Sequence, residues 1–99
     1  MKYKLFKFKK GKRQQWKDWC VFLNAHKEEV LETLREEQVT QEVGYASENY
    51  FLYGMEGLCL PSTDTKLNRE HKRNLKECLE PVADQHDYQF EVWFDFVVG

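Results

Sequence analysis

The sequence predicts an α+β fold of the ferredoxin-like type, with the element order βαββαβ and a four-stranded antiparallel sheet of order 4-1-3-2. Three observations support this prediction. Segments of alternating apolar residues flank segments whose apolar residues recur every three or four positions. Right-handed crossovers place both predicted helices on one face of the sheet. At 99 residues, the chain has the length of a single domain, which we expect to span residues 1–99.

The predicted strands are residues 2–9, 39–47, 50–56 and 88–98. In the first strand the apolar positions change phase between Leu5 and Phe6, which predicts either a β-bulge or a strand covered on both faces. The second and third strands are predicted to form a hairpin, with its tight turn at Glu48 and Asn49. The last strand has the most regular alternation, which places Trp93 on the face opposite Phe94.

The predicted helices are residues 12–38 and the segment from Ser62 or Thr63 to Pro81. An unbroken first helix would be about 40 Å long, which is too long for so small a domain. We therefore predict a break near Asn24 and Ala25, with Asn24 capping the helix that follows. The tryptophans Trp16 and Trp19 lie on its apolar stripe and are predicted to be core residues.

The strands carry apolar side chains on both faces, whereas two helices cover only one face of a four-stranded sheet. Aromatic residues make up 15% of the chain, so the uncovered face would expose large rings to water. A second copy of the chain is the simplest cover. The sequence therefore predicts a homodimer in which the open faces of two sheets pack together.

Charge and cysteine content indicate a cytoplasmic protein. No stretch approaches the roughly 20 apolar residues of a membrane span, and lysines interrupt the N-terminus where a signal peptide is apolar. The three cysteines form no C-x-x-C pair and are predicted to be reduced. Residues 1–17 hold eight cations and no acid, which could attract an anion, a nucleic acid or an acidic subunit, or could simply keep an exposed strand soluble.

His71 and His26 are the first candidates for chemistry, because each falls on the apolar stripe of a predicted helix. Imidazole titrates near neutral pH and binds metals, so a cluster with Cys20 or Cys78 between the helices could form a site. The spacings C-x-x-C and H-x-x-x-H are absent from the sequence, however. We therefore expect no metal and no cofactor, and a hydrogen-bonded core histidine is the simpler interpretation.

A nucleic-acid interface is a further interpretation, because RNA-recognition motifs stack bases on the exposed rings of a ferredoxin-like sheet. Tyr3, Phe6 and Phe8 on the first strand and residues 50–53 on the third invite this comparison. The third strand lacks the basic residue and the glycine at the start of the RNA motif, and the net charge of the chain is −2. We expect no nucleic-acid partner.

The chain contains a series of short motifs: Gly11-Lys12, Trp16, Phe22-Leu23-Asn24, residues 29–34, Arg69, His71 and Glu77-Cys78. Together they resemble an uncharacterised bacterial family of small domain-of-unknown-function proteins. That family is similar in outline to the dimeric α+β barrel proteins, which include the antibiotic-biosynthesis-type monooxygenases. The resemblance implies a ferredoxin-like subunit and a homodimer, and it supplies no activity.

Two functions remain open at this point. The first is a non-catalytic protein that holds a small apolar molecule between sheet and helices. The second is a cofactor-poor enzyme of the monooxygenase or isomerase kind, with His71 as catalytic base or ligand and with Tyr53, Trp93 and His26 as binding residues. A hollow that reaches His71 would favour the enzyme, whereas a filled core around it would favour the first function.

Overall fold

The computed structural model describes residues 1–82 and 91–99. These residues form three helices and five strands: β1 Lys2–Phe8, α1 Arg13–Ala25, α2 Lys27–Glu36, β2 Val39–Ala46, β3 Tyr50–Gly57, α3 Lys66–Cys78, β4 Leu79–Pro81 and β5 Glu91–Val97. The strands form one antiparallel sheet in the order β4-β1-β3-β2-β5, and the helices pack on one of its faces. The predicted α+β class and antiparallel hairpin are confirmed. In the described part of the chain, no helix is both long enough and apolar enough to cross a membrane.

The last strand lies at the opposite edge from the one predicted. In a ferredoxin-like sheet it would pair with β1, whereas β5 pairs with β2. The edge beside β1 is already taken, because α3 ends at Cys78 and Leu79–Pro81 continues at once as β4. Pro81 is tolerated there since an edge strand can lack one amide hydrogen. The four-stranded ferredoxin-like βαββαβ prediction is therefore wrong, and residues 88–90 of the predicted last strand lie outside the described residues.

The break in the first helical region is confirmed, although its capping residue differs from the prediction. His26 separates α1 from α2 with a non-helical backbone (φ −116°, ψ 38°). Asn24 does not cap α2, because its side-chain amide donates to the carbonyl oxygens of Cys20 and Trp93. The break allows each of the two short helices to lay its own apolar stripe against the sheet.

A one-residue irregularity in β5 redirects Trp93. The register between β2 and β5 shifts at this residue, and such a bulge turns the side chain relative to simple alternation. The ring of Trp93 therefore lies on the helix-covered face, where both Trp93 and Phe94 contact Phe51. The prediction that Trp93 and Phe94 point to opposite faces is wrong for this reason.

The sheet face away from the helices carries the predicted apolar surface. One residue from each of four neighbouring strands forms a continuous row on this open face: Leu5, Leu52, Tyr45 and Val92. Val92 is 61% exposed. The pairing of β1 with β3 runs without a register shift, so the phase change at Leu5 and Phe6 reflects two apolar faces and no bulge.

Candidate active site

The centre of the candidate site is a hydrogen-bonded pair formed by Tyr53 and His71. Tyr53 lies on the helix-covered face of β3, where the rings of Phe51 and Phe94 contact it edge-on at centroid distances of 5.8 and 5.3 Å. His71 lies on the apolar stripe of α3, and its Nε2 is 3.0 Å from Tyr53 Oη. Strand alternation and helical periodicity thus bring together two residues that the sequence singled out.

Trp19, on α1, determines where the His71 ring carries its proton. The indole Nε1–H can only donate, and it points at His71 Nδ1 over 2.9 Å. Nδ1 must therefore present its lone pair, so the single proton of the neutral ring lies on Nε2. That Nε2–H donates to the oxygen of Tyr53, which leaves the hydroxyl hydrogen of Tyr53 available to another acceptor.

Glu42 supplies this acceptor from the neighbouring strand. Glu42 alternates regularly with Gly44 and Ala46 and so lies on the helix-covered face of β2, where it is only 6% exposed. Its carboxyl group interacts with the Tyr53 hydroxyl, which lowers the pKa of Glu42 and raises the pKa of Tyr53. We refer to Trp19, His71, Tyr53 and Glu42 as the hydrogen-bond chain, in which Trp19 donates to His71, His71 donates to Tyr53, and the Tyr53 hydroxyl interacts with the Glu42 carboxyl group.

Burial shifts the pKa of each titratable group of this chain toward its neutral form. It raises the pKa of Glu42 to about 7, opposed by the Tyr53 hydrogen bond and reinforced by the charge of Glu37. Burial also lowers the pKa of His71 to about 4, and together with the charge of Glu42 it raises the pKa of Tyr53 well above 10. Near neutral pH, Glu42 is therefore the member that can gain or lose a proton.

Two hollows adjoin the hydrogen-bond chain. The larger, which we call the β1 groove, has a volume of about 500 Å³ and is lined by Tyr53 and His71 together with mainly apolar residues and two lysines. The smaller, which we call the inner cavity, has a volume of about 90 Å³ and is lined by Glu42, Glu37 and Asn68 among others. His71 and Met55 line both hollows, whereas Tyr53 lines the β1 groove and Glu42 lines the inner cavity.

A known family model matches nearly the whole chain, including the residues of this site. The model of a family of unknown function (DUF6176) matches residues 1–97. The chain belongs to this family. Neither a curated protein nor a solved structure gives a significant match. All four residues of the hydrogen-bond chain lie within the part of the chain that this DUF6176 family model covers.

The other two residues proposed from the sequence lie elsewhere in this DUF6176 member. His26 stacks on Phe22 with ring centroids 3.9 Å apart, and its Nδ1 lies 2.8 Å from the Phe22 carbonyl oxygen. Trp93 lies beneath the guanidinium of Arg13, 4.8 Å from its ring centroid. As far as the described residues define them, neither the β1 groove nor the inner cavity includes His26 or Trp93.

The side chains around His71 are poorly suited to a metal. Both ring nitrogens of His71 are engaged by Trp19 and Tyr53. Burial raises the pKa of the nearby Cys20 thiol, which disfavours the thiolate that a metal would require. Within residues 1–82 and 91–99, no group of three His, Cys, Asp or Glu side chains is arranged to hold a metal ion. The site therefore has acid–base groups and no metal-ligand set among the described residues.

Two members of the hydrogen-bond chain were not predicted as site residues. Glu42 reaches the core by regular alternation with Gly44 and Ala46, on the face opposite to the apolar residues Val43 and Tyr45 that make β2 recognisable as a strand. The one sign of Glu42 in the sequence is that it is a lone acid inside an apolar strand. Trp19 was predicted as a core residue and is buried, but its hydrogen bond to a helix 52 positions away depends on the packing of α1 on α3.

Proposed function

We propose that the protein catalyses a cofactor-independent proton transfer on a small, mostly apolar molecule bound in the β1 groove. The observation that carries this proposal is the oriented hydrogen-bond chain, which ends at an acid titrating near neutral pH and borders a hollow of about 500 Å³. Ligand sites of this size are typically apolar with a few convergent polar groups. A ketone or enol whose α-hydrogen is acidic is the substrate type that this chemistry fits.

The proposed step moves two protons. Ionised Glu42 accepts the hydroxyl proton of Tyr53 while Tyr53 Oη accepts a proton from the α-carbon of the substrate, whose carbon–hydrogen electrons pass into an enolate. Return of both protons, with delivery to a different atom, completes an isomerisation. Because the pKa of Tyr53 is well above 10, a free tyrosinate is disfavoured and the two transfers are expected to be concerted.

In this proposal His71 is a positioning residue and no longer the base considered from the sequence. Its pKa of about 4 makes it a weak proton acceptor, and both ring nitrogens already have partners. Its Nε2–H instead stabilises the negative charge that develops on Tyr53 Oη during the transfer. Trp19 in turn holds His71 in the tautomer that can donate.

The experiment is exchange of α-hydrogens for deuterium in D₂O, followed by NMR on a panel of phenylacetone, phenylpyruvate and cyclohexane-1,3-dione. We expect the wild-type protein to accelerate exchange of at least one compound over buffer. Tyr53→Phe and Glu42→Gln should each reduce that acceleration at least 100-fold, in keeping with the contribution of acid–base groups. Equal exchange rates for wild type and Tyr53→Phe on the whole panel would contradict the proposal.

We further propose that residues 1–99 form a single domain and that two copies pair through their open sheet faces. The support is the row Leu5, Leu52, Tyr45 and Val92, which crosses four strands without a charged residue. A second copy of the chain fits this surface because the apolar row at the centre of one open face can pack against the same row of the other copy. This pairing leaves the β1 groove, on the opposite face, open to its ligand.

A further inference from the structure

The charge on the β1 groove is one-sided. Lys2 and Lys4 line it, and no acidic residue of the described part of the chain does so. Neither ammonium group forms an ion pair within residues 1–82 and 91–99, whereas Arg73 on α3 pairs with both Glu70 and Glu77. Unpaired cations beside a concave apolar surface favour an anionic ligand.

The position of these lysines follows from the pairing of β1 with β3. Lys4 lies opposite Tyr53 and Lys2 lies opposite Met55, so both project to the face on which the hydrogen-bond chain lies. Lys4 also extends over the ring of Phe6, with its Nζ 5.4 Å from the ring centroid. Lys4 is thus held beside the apolar lining and opposite the strand position that carries Tyr53.

We propose that the substrate of this site is a small organic carboxylate with an apolar body, bound with its carboxylate at Lys2 and Lys4 and its apolar part against Phe6 and Leu75. This inference rests on the proposed function for the groove and for the role of Tyr53, and it adds the substrate class. A carboxylate fits better than a phosphate, because the groove lining offers neither an arginine fork nor a helix N-terminus among the described residues.

The geometry also explains why such a ligand would react. Lys4 and Tyr53 face each other across the β1–β3 pair and both line the β1 groove, so a carboxylate held at Lys4 lies in the same hollow as Tyr53. The ammonium groups would then stabilise the enolate as well as the bound acid. A 2-oxo acid with an apolar side chain meets both requirements.

The test compares phenylpyruvate with phenylacetone, which share one skeleton and differ in a carboxylate against a methyl group. We expect calorimetric titration of the wild-type protein to give at least tenfold tighter binding of phenylpyruvate, with the preference weakening as salt rises. The double variant Lys2→Ala, Lys4→Ala should lose about tenfold in phenylpyruvate affinity and leave phenylacetone binding unchanged. Lys7→Ala is the matched control, since Lys7 lies on the same strand and alternation points it to the open face.

The outcomes separate this inference from the proposed function. Equal affinity for the two compounds, or an equal loss in Lys7→Ala and in the double variant, would overturn the carboxylate inference whatever the exchange assay shows. Tight, lysine-dependent binding of phenylpyruvate without Tyr53-dependent exchange of its α-hydrogens would support the carboxylate site and contradict proton transfer. Should the double variant fold poorly, the salt dependence of the wild-type preference decides the question by itself.

Discussion

The indole Nε1–H of Trp19 donates to Nδ1 of His71 over 2.9 Å, and this single bond sets the direction of the whole hydrogen-bond chain. An indole nitrogen never accepts, so the imidazole must donate from its other nitrogen to Tyr53. The Tyr53 hydroxyl is thereby left to donate toward Glu42 or a ligand. Trp19 and neutral His71 thus orient the Tyr53 hydroxyl group, and neither of them has to gain or lose a proton.

Replacing Trp19 with phenylalanine should remove the hydrogen bond to His71 while keeping an aromatic ring in the core. We expect a loss of about 1–3 kcal/mol in unfolding free energy and at least tenfold slower exchange, because the His71 tautomer is no longer fixed. Trp93→Phe is the control, since the Trp93 indole donates to exposed Glu91 over 3.2 Å and lies outside the hydrogen-bond chain. Denaturant unfolding and the exchange assay measure both effects. Unchanged exchange in Trp19→Phe would contradict the orienting role.

Glu42→Gln should change how stability depends on pH. The folded-state pKa of Glu42 is about 7 and its ordinary value is 4.5, so between these values the folded state binds the extra proton. Wild-type stability therefore includes a contribution that is lost as pH rises from about 4.5 to about 7. Relative to wild type, Glu42→Gln should gain up to about 3 kcal/mol across this window. Parallel stability curves for the two proteins would show that Glu42 titrates normally.

His71 contributes to stability with the opposite pH dependence, which His71→Gln should remove. The pKa of His71 is lowered from 6.5 to about 4, so the unfolded state binds the extra proton between these values. The contribution of His71 to stability is present above pH 6.5 and is lost as pH falls toward 4. In wild type it opposes the contribution of Glu42, so the net curve should be nearly flat between pH 4.5 and 6.5. Removal of His71 should leave stability that falls with rising pH, measured by urea unfolding at each pH.

Leu52→Glu tests the proposed pairing through the open face. Leu52 lies between Leu5 and Tyr45 in the apolar row, so a buried pair of glutamates at this position should split a dimer. Sedimentation velocity should report a dimer for wild type and a single chain for the variant. Val21→Glu is the control, because Val21 is 60% exposed on α1, away from the open face. A wild-type protein that sediments as a single chain at micromolar concentration would refute the pairing.

The sequence predicted the local elements better than their arrangement. The length of the helical region predicted a break near Asn24 and Ala25, which the structure has at His26, and the alternating strands predicted the hairpin of β2 and β3. Strand order depends on which edge is free, and the three-residue β4 that occupies one edge has too few residues to show any period. The sequence therefore could not indicate that β5 would pair with β2.

The candidate site was predicted only in part, for a related reason. His71 and Tyr53 follow the regular periods of their helix and strand, and the structure places them in contact. Trp93 depends on a β-bulge, which reverses the face that simple alternation assigns, whereas Glu42 is an acid on the face opposite to the apolar residues Val43 and Tyr45. A bulge is decided by cross-strand packing and leaves no mark in the alternation of a single strand.

The most direct test of this account is a pH titration of the His71 ring nitrogens by ¹⁵N NMR. The account predicts an unprotonated Nδ1, a protonated Nε2 and no second protonation until pH falls to about 4. A proton on Nδ1 at neutral pH, or a midpoint near 6.5, would show that Trp19 does not orient the ring and that the hydrogen-bond chain does not run toward Glu42.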